Sequence, residues 1–369
     1  MSVTIPIGPY HPALHEPSFF KVHVEGEKIV HTDIRLGYNH RGLEKICEAR
    51  TIEQALIVIE RVCGICSQTH STAYCNAIED IIGIDIPERA AYLRAIYGEL
   101  ERLHSHLLSM GTLFHTIGYE YIFMECWKVR EIVMDILEDI GGNRVHYALN
   151  TIGGVRKDID KKASDMILSD IELLINPLNE WLDVIRSDST VSERLKGVGY
   201  LTIKEIKQFG AVGAFAKGGG VAIDARLHDQ YAAYGTYNFK PVVESVNGKG
   251  GDCYSRSIFK FKECLQSVDL IKTFLDDLPG GDLLTKYDSI PAGESIGRAE
   301  APRGEDVIYV RTNGGPLLDR VRVRVPTYMN LQTLPTALKG NLIGDVPLII
   351  TSMDPCFSCT ERMTIVRRS

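Results

Sequence analysis

The hydrophobic pattern changes period along the chain: two near both ends, three to four through the middle. Phe19 to Val24, the turn Glu25-Gly26-Glu27, and Lys28 to Ile34 alternate, which predicts a β-hairpin. Thr51 with Gln54 forms a capping-box pattern ahead of Ala55, Leu56 and Ile59, so a helix should run toward Arg61. From Pro87 to about Gly118, Leu93, Ile96, Leu100, Leu103 and Leu107 recur at helical spacing with Glu99, Glu101 and Arg102 on other faces, which predicts a long amphipathic helix. Helical periodicity also covers roughly 125–140, 158–185 and 256–278, with Gly-rich breaks at Gly141-Gly142, Gly153-Gly154 and Gly218-Gly219-Gly220. Near the other end VIYVRT, the turn NGG, and RVRVRV predict a second hairpin with Arg320, Arg322 and Arg324 on one face. The fold class read from these periods is α+β, a central helical bundle with β-hairpins near both termini.

Composition narrows the function classes. The 44% apolar and 24% charged residues are those of a chain that buries a core, and a net charge of −7 offers no basic stripe, so nucleic acid is not expected as a partner. No run approaches ~18 apolar residues, and MSVTIPIGPYHPALHEP has neither a basic n-region nor an apolar h-region, so the chain is expected to be soluble and cytoplasmic. No repeat, low-complexity stretch or Ser/Pro linker marks a domain boundary.

Four of the nine cysteines stand as two CxxC pairs, Cys63/Cys66 and Cys356/Cys359, almost the length of the chain apart. Zinc knuckles close their loop within about twenty residues. Two intervening residues let both sulfurs of a pair face one metal, and four thiolates favour zinc, iron, nickel or an iron-sulfur cluster by softness. The other five, Cys47, Cys75, Cys126, Cys253 and Cys264, have no paired spacing and read as buried small hydrophobes.

The surroundings of the pairs carry a resemblance. Arg61-Val62-Cys63-Gly64-Ile65-Cys66 followed by His70, together with DPCFSCTER at 354–362, is similar to the paired motifs of nickel-iron hydrogenase large subunits. GPYHPALHEP at 8–17, HRGLEK at 40–45 and EAPRGE at 300–305 fall in the family's order. The GPxHP loop, the short EAPRGE element, a terminal CxxCxxR and the small size resemble the energy-converting, membrane-bound class, related to the quinone-site subunit of respiratory complex I, which lacks the four cysteines.

The resemblance implies a single hydrogenase large-subunit domain over 1–369: a β region at about 1–45, a helical core at about 46–290, and a C-terminal β region with a metal-binding tail at about 291–369. It implies that Cys63 and Cys356 are terminal nickel ligands and that Cys66 and Cys359 bridge nickel to an iron carrying carbon monoxide and cyanide. Glu16 takes the place of the proton-transferring glutamate, with a loop acid beside Pro17 as the alternative. Glu44 matches a glutamate that binds magnesium or iron at a second site, although Arg362 replaces the histidine ligand; a helix-surface salt bridge is the alternative. Arg303 aligns with an arginine held over the open metal positions, Asp354 is expected to hold it or cap the cysteine loop, and His70 is expected to hydrogen-bond a bridging sulfur. His11 is expected at a lobe contact near the partner subunit, and His104 and His106 read as packed in the core or an interface.

The implied activity is reversible H2 oxidation and proton reduction. Electrons are expected to leave through a small iron-sulfur subunit to ferredoxin, and ion translocation is expected to belong to membrane subunits, with this chain on the cytoplasmic side of the cell membrane. The competing expectation is a non-catalytic, complex I-like quinone-site or scaffold subunit whose four cysteines hold structural zinc. Proteolytic removal of the tail after Arg362 is open; an uncleaved tail is expected to bury Ile365 and Val366 and expose Arg367 and Arg368.

Overall fold

The structure, a computed structural model, describes residues 2–11, 14 and 16–360. The expected first hairpin is β2 (Phe19–Glu25) with β3 (Lys28–Arg35), and Phe20, Val22 and Val24 of β2 are buried in alternation. A third strand, β1 (Ser2–Ile7), pairs antiparallel with β2 so that Val22 lies between Ile5 and Thr32. Its Pro6 cannot donate to a ladder and is accommodated because β1 is an edge.

The helices follow as α1 (Leu43–Glu48), α2 (Ile52–Glu60), α3 (Ser67–Ile82), α4 (Glu88–Thr116) and α5 (Glu120–Gly141). The capping box at α2 is formed on both sides, Gln54 N–H donating to Thr51 Oγ1 at 3.2 Å and Thr51 N–H to Gln54 Oε1 at 3.3 Å. A short ladder of β4 (Asn150–Thr151) and β5 (Gly154–Val155) then leads to α6 (Lys161–Glu172) and α7 (Ile175–Ser187). The sequence reads these two as one helix over 158–185. Pro177 in the first turn of α7 has no N–H and would strike the carbonyl one turn back, so the helix breaks at Leu173 and Leu174. Beyond α8 (Ser189–Leu195) lie β6 (Leu201–Thr202), α9 (Ile203–Gln208), α10 (Gly213–Lys217), α11 (Ala225–His228), β7 (Gly250–Gly251) and the long α12 (Cys253–Asp276).

Helix α4 is not amphipathic, contrary to the sequence reading. Leu93, Ile96, Leu100, Leu103 and Leu107 are buried as expected, but so are Glu99, Glu101 and Arg102. The helix packs against α3, α5, α12 and the later α15 (Val346–Met353) at once, so no face is left for solvent and its charges must be paired inside.

The second sheet has three strands, β8 (Ala292–Ala301), β9 (Gly304–Asn313) and β10 (Leu318–Arg324), in the order β10-β9-β8. The expected hairpin is β9 and β10. The EAPRGE segment is the end of β8, a tight turn at Pro302-Arg303, and the start of β9. Sheet and α3 meet closely: a Cβ on Gly297 would lie 1.9 Å from the Ala73 carbonyl, so only glycine permits this approach. Three short helices, α13 (Pro326–Asn330), α14 (Leu334–Leu338) and α15 (Val346–Met353), lead to the second cysteine pair.

Two apolar clusters result. One joins the first sheet to α4, α5, α7, α12 and α15; the other joins α1, α2 and α3 to the second sheet and contains all four paired cysteines. Phe357 belongs to the first cluster while its neighbours Cys356 and Cys359 belong to the second, so the cysteine loop sits where the two cores meet.

Candidate metal centre

The first pair occupies the bend between α2 and α3: Arg61 caps α2, and Cys66 is the N-cap of α3. The second pair follows α15 on a short 3-10 turn, Phe357–Cys359. The four sulfurs converge, with Cys63 Sγ 3.2 Å from Cys356 Sγ, Cys66 Sγ 3.5 Å from Cys359 Sγ, and Cys356 Sγ 3.0 Å from Cys359 Sγ. All four are buried and none forms a disulfide. Arg41, in the HRGLEK segment, ties the loops together by donating to the carbonyls of Arg61 at 3.1 Å, Val62 at 2.7 Å and Ser358 at 3.3 Å.

Each expected neighbour of the sulfurs can now be placed. His70, one turn into α3, has Nε2 3.3 Å from Cys66 Sγ and 3.7 Å from Cys359 Sγ. Its Nδ1 lies 2.8 Å from Asp306 Oδ2. Burial alone would push the imidazole down, but the Asp306 carboxylate beside it prevails and raises it to about 8. Arg303 donates from Nε to the Asp354 carbonyl and from NH2 to Asp354 Oδ1, both at 2.8 Å, and from NH1 to Ser105 Oγ at 2.9 Å. The charge of Asp354, then of Cys356, Cys66 and Cys63, keeps this guanidinium protonated against its burial. Helix α10 presses on the same turn: a Cβ on Gly213, at φ 57°, would lie 2.0 Å from the Arg303 carbonyl.

Glu16 accepts hydrogen bonds from Ser358 N–H at 3.0 Å and from the Ser358 hydroxyl, so its carboxylate touches one of the two residues between the cysteines of the second pair. It shares a cavity of about 270 Å³ with Cys356, Arg303, Asp354, Ser109 and Trp127. Glu44 lies elsewhere. Its Oε1 accepts from Val323 N–H at 3.0 Å and its Oε2 is 3.5 Å from Arg320, so it is joined to β10; among the described residues, no group of donors spaced for a metal includes it. His11 is exposed, and His106 is buried against Glu263 at 2.6 Å. The tail from residue 361 on, including Arg362, Ile365, Val366, Arg367 and Arg368, lies outside the described residues.

The donor set fits a soft metal. Cys63, Cys356 and Cys359 form one group, and Cys66, His70 and Cys359 another, each with donor atoms within 4.8 Å of one another. The neighbouring Cys356, Cys359 and Cys66 sulfurs hold the Cys63 thiol well below its ordinary value, while burial pushes Cys359 well above it. Without a cation the nest favours one thiolate and resists more, because further negative charge only about 3 Å away would be uncompensated. A bound metal removes that resistance.

Asp306, Ser105, Lys260 and Arg41 were not singled out from sequence. Asp306 had a legible signal: β9 buries alternate positions, and Asp306 falls in register with Ile308 and Val310 on the inward side. Arg41 lies in the HRGLEK segment that the resemblance marks, whereas Ser105 and Lys260 are recruited from separate helices and nothing local marks them.

Two family models match the chain: the one described as "Nickel-dependent hydrogenase" over residues 41–122, and the one described as "Respiratory-chain NADH dehydrogenase, 49 Kd subunit" over residues 116–290 and 283–362. The chain belongs to the family that joins the large subunits of membrane-bound hydrogenases to the 49-kDa subunits of respiratory complex I. It is 44% identical to the membrane-bound hydrogenase subunit alpha of Pyrococcus furiosus, over 99% of this chain and 88% of that one. It is 40% identical to the carbon monoxide-induced hydrogenase of Rhodospirillum rubrum, over 97% of this chain and 99% of that one. A chain in the solved structure of the membrane-bound sulfane sulfur reductase, described as an archaeal respiratory membrane complex, superposes with a TM-score of 0.91 at 27% identity and 98% coverage of both chains. Among the described residues, no helix is long and apolar enough to cross a membrane.

Proposed function

We propose that this chain is the catalytic large subunit of an energy-converting nickel-iron hydrogenase, carrying out H2 ⇌ 2 H+ + 2 e− as one domain over 1–369. The observation that carries the reading is the convergence of four thiols from opposite ends of the chain beside an arginine fixed by Asp354. Cys63, Cys356, Cys66 and Cys359 would hold the nickel-iron pair, Cys63 and Cys356 as nickel ligands and Cys66 and Cys359 as the sulfurs that nickel would share with an iron bearing carbon monoxide and cyanide. His70 reaching Cys66 and Cys359 supports that division, because a donor aimed at both sulfurs suits the pair shared between metals.

When bound, the nickel-iron pair supplies the centre at which H2 is split and the sink for its electrons. Glu16 accepts the departing proton at a carboxylate oxygen, oriented by the two Ser358 donors and facing the cavity that Cys356 also lines. Arg303 holds a positive charge beside the sulfurs without titrating, and Asp354 fixes its plane through two contacts. Glu44 is left out of the reaction, because Val323 and Arg320 engage its carboxylate; a second magnesium or iron site on it would have to form beside those contacts. Among the described residues none of the other five cysteines belongs to a donor group spaced for a metal, so electrons are assigned to a small iron-sulfur subunit, then ferredoxin. Ion translocation is assigned to membrane subunits, which its relatives' membership of membrane-bound complexes supports, and this chain is assigned to their cytoplasmic side.

The match of residues 116–362 to the 49-kDa subunit favours a second reading, a quinone-site or scaffold subunit with structural zinc at the four sulfurs. Metal analysis with infrared spectroscopy of the purified complex decides between them. Nickel, iron and bands of iron-bound carbon monoxide and cyanide are expected. Stoichiometric zinc without such bands would replace the hydrogenase reading by the second.

A further inference from the structure

Lys260 stands behind the residues that hold Arg303. It lies on α12, is 2% exposed, and donates from Nζ to Ser109 Oγ of α4 at 2.5 Å. The same Nζ is 3.9 Å from Asp354 Oδ2. That oxygen accepts no hydrogen bond among the described residues, whereas Oδ1 and the Asp354 carbonyl are both taken by Arg303. Asp354 has φ 61° and ψ 57°, a left-handed conformation rare for a residue with a side chain, and it turns the carbonyl and carboxylate toward Arg303 together. A strained aspartate is therefore flanked by two buried cations, one on each oxygen. Ser109 carries the arrangement into the cavity, whose wall it forms together with Glu16 and Cys356.

A buried lysine at this place calls for an explanation, because an apolar side chain of the same length would pack between α4 and α12 without burying a charge. Its surroundings are mixed. Burial pushes the amine down to about 8; Asp354 opposes this, and Arg303 and Arg256 add to it. An ammonium set against two arginines gains little from charge alone, and what distinguishes its position is the free oxygen of Asp354.

We propose that Lys260 is a positioning residue of the active centre: anchored by Ser109, it fixes the Asp354 carboxylate from the side opposite Arg303 and so sets where the Arg303 guanidinium lies beside the four sulfurs. This rests on the hydrogenase reading above. It concerns a residue that is not among those lining the cavity; Ser109 anchors it there, and its effect on Arg303 passes through Asp354.

The test uses the intact complex with Lys260→Met, which keeps length and removes charge, and Ser109→Ala, which removes the anchor and leaves the lysine. Nickel and iron content, the infrared bands of the iron-bound diatomics, and KM against kcat are read on each. The expectation for Lys260→Met is wild-type metal content, displaced infrared bands, and kcat lower by on the order of 10- to 100-fold with KM little changed, the range typical of residues that orient a metal's neighbours. Ser109→Ala should move the same bands in the same direction by less. Loaded Lys260→Met protein with wild-type bands and kcat overturns the proposal. Should Lys260→Met fail to fold or load, wild-type bands in loaded Ser109→Ala overturn it instead. Wild-type complex without diatomic bands brings down the hydrogenase reading itself, and with it the active centre that Lys260 would serve, which distinguishes that failure from the two above.

Discussion

Two fully buried polar regions lie on either side of the Arg303 turn and solve the problem of burial in opposite ways. On one side are the four thiols. On the other is an ionic cluster in which Arg226 meets Glu99 at 2.9 Å and Asp224 at 2.7 Å, while Lys217 meets Glu263 at 2.5 Å, Glu300 at 3.0 Å and Asp224 at 3.1 Å. Burial opposes the ionisation of Glu99, yet Arg102 and Arg226 hold it at about 2. The cluster satisfies itself; the thiols do not, and this difference separates a region built to hold structure from one built to hold something else. The two are mechanically linked, because Arg102 donates to the carbonyls of Glu300 at 2.8 Å and Ala301 at 3.2 Å, the residues that lead into the Arg303 turn.

The largest effect expected is at the thiols. Cys356→Ser should abolish nickel binding and turnover while the chain stays folded, since a hydroxyl fits within the space of the thiol but lacks its softness. Normal nickel content in that variant would remove the sulfurs from the metal site. In the cluster the order reverses. Glu263→Gln replaces the carboxylate shared by Lys217, Arg226 and His106 with a neutral amide and should destabilise the chain by about 3–5 kcal/mol, because these buried donors lose an acceptor charge that no water replaces. Thermal or denaturant unfolding checks this, and a loss below about 1 kcal/mol would show that the cluster reorganises. Whatever folds should still load metal, which tests the claim that the two regions have separate tasks.

Two smaller effects act on the site without emptying it. Arg303→Lys should lower kcat by on the order of 10²-fold in metal-loaded protein, because an ammonium cannot repeat three contacts made in one plane. Full activity in that variant would show that charge alone suffices. Glu16→Gln should slow H2/D2O exchange by a comparable factor, on the order of 10²-fold, with metal content unchanged, since the amide keeps the shape but not the proton. Unaltered exchange would return Glu16 to the role of a loop acid held by Ser358.

How the two regions showed in the sequence follows from how each is assembled. The thiols were legible because each half is local: two residues between cysteines, with His70 one turn on and the Thr51/Gln54 cap setting the helix before them. Glu16, Arg303 and Asp354 were reachable only through resemblance to a family, and the structure brings all three to the cysteine loop or to each other. The cluster was misread, because period 3.6 assigned Glu99 and Arg102 of α4 to a wet face while the tertiary fold wrapped that face with α12 and the end of β8. Charges drawn from α4, α10, α11, α12 and β8 leave no spacing in the sequence. Strand β8 was missed for a related reason: AGESIGRAEA has little β-branched or aromatic content, and its pairing with β9 and α3 imposes the extended form.

His146 sharpens the comparison by supplying a third solution, burial in the neutral form. It is 2% exposed, neither ring nitrogen has a hydrogen-bond partner among the described residues, and its ring packs edge-on to Tyr97 at 6.0 Å. Among the described residues no metal donor set includes it and no carboxylate compensates it, so burial pushes it down to about 3. The sign follows from the depressed value. The unfolded chain takes up this proton as pH falls through about 6.5, whereas the folded chain does so only near 3, so the histidine's contribution to stability is complete above 6.5 and is lost progressively between the two values. At pH 5 the loss is about 2 kcal/mol, from roughly 1.4 kcal/mol per pH unit below 6.5. His146→Phe keeps an aromatic ring beside Tyr97 and removes the titration, so its stability should fall less steeply than wild type between pH 7 and pH 5. Identical slopes in the two proteins would mean that the ring is already charged or hydrated in the fold. The thiols and the ionic cluster would then be the chain's ways of burying polarity, by metal and by pairing, with His146 belonging to neither.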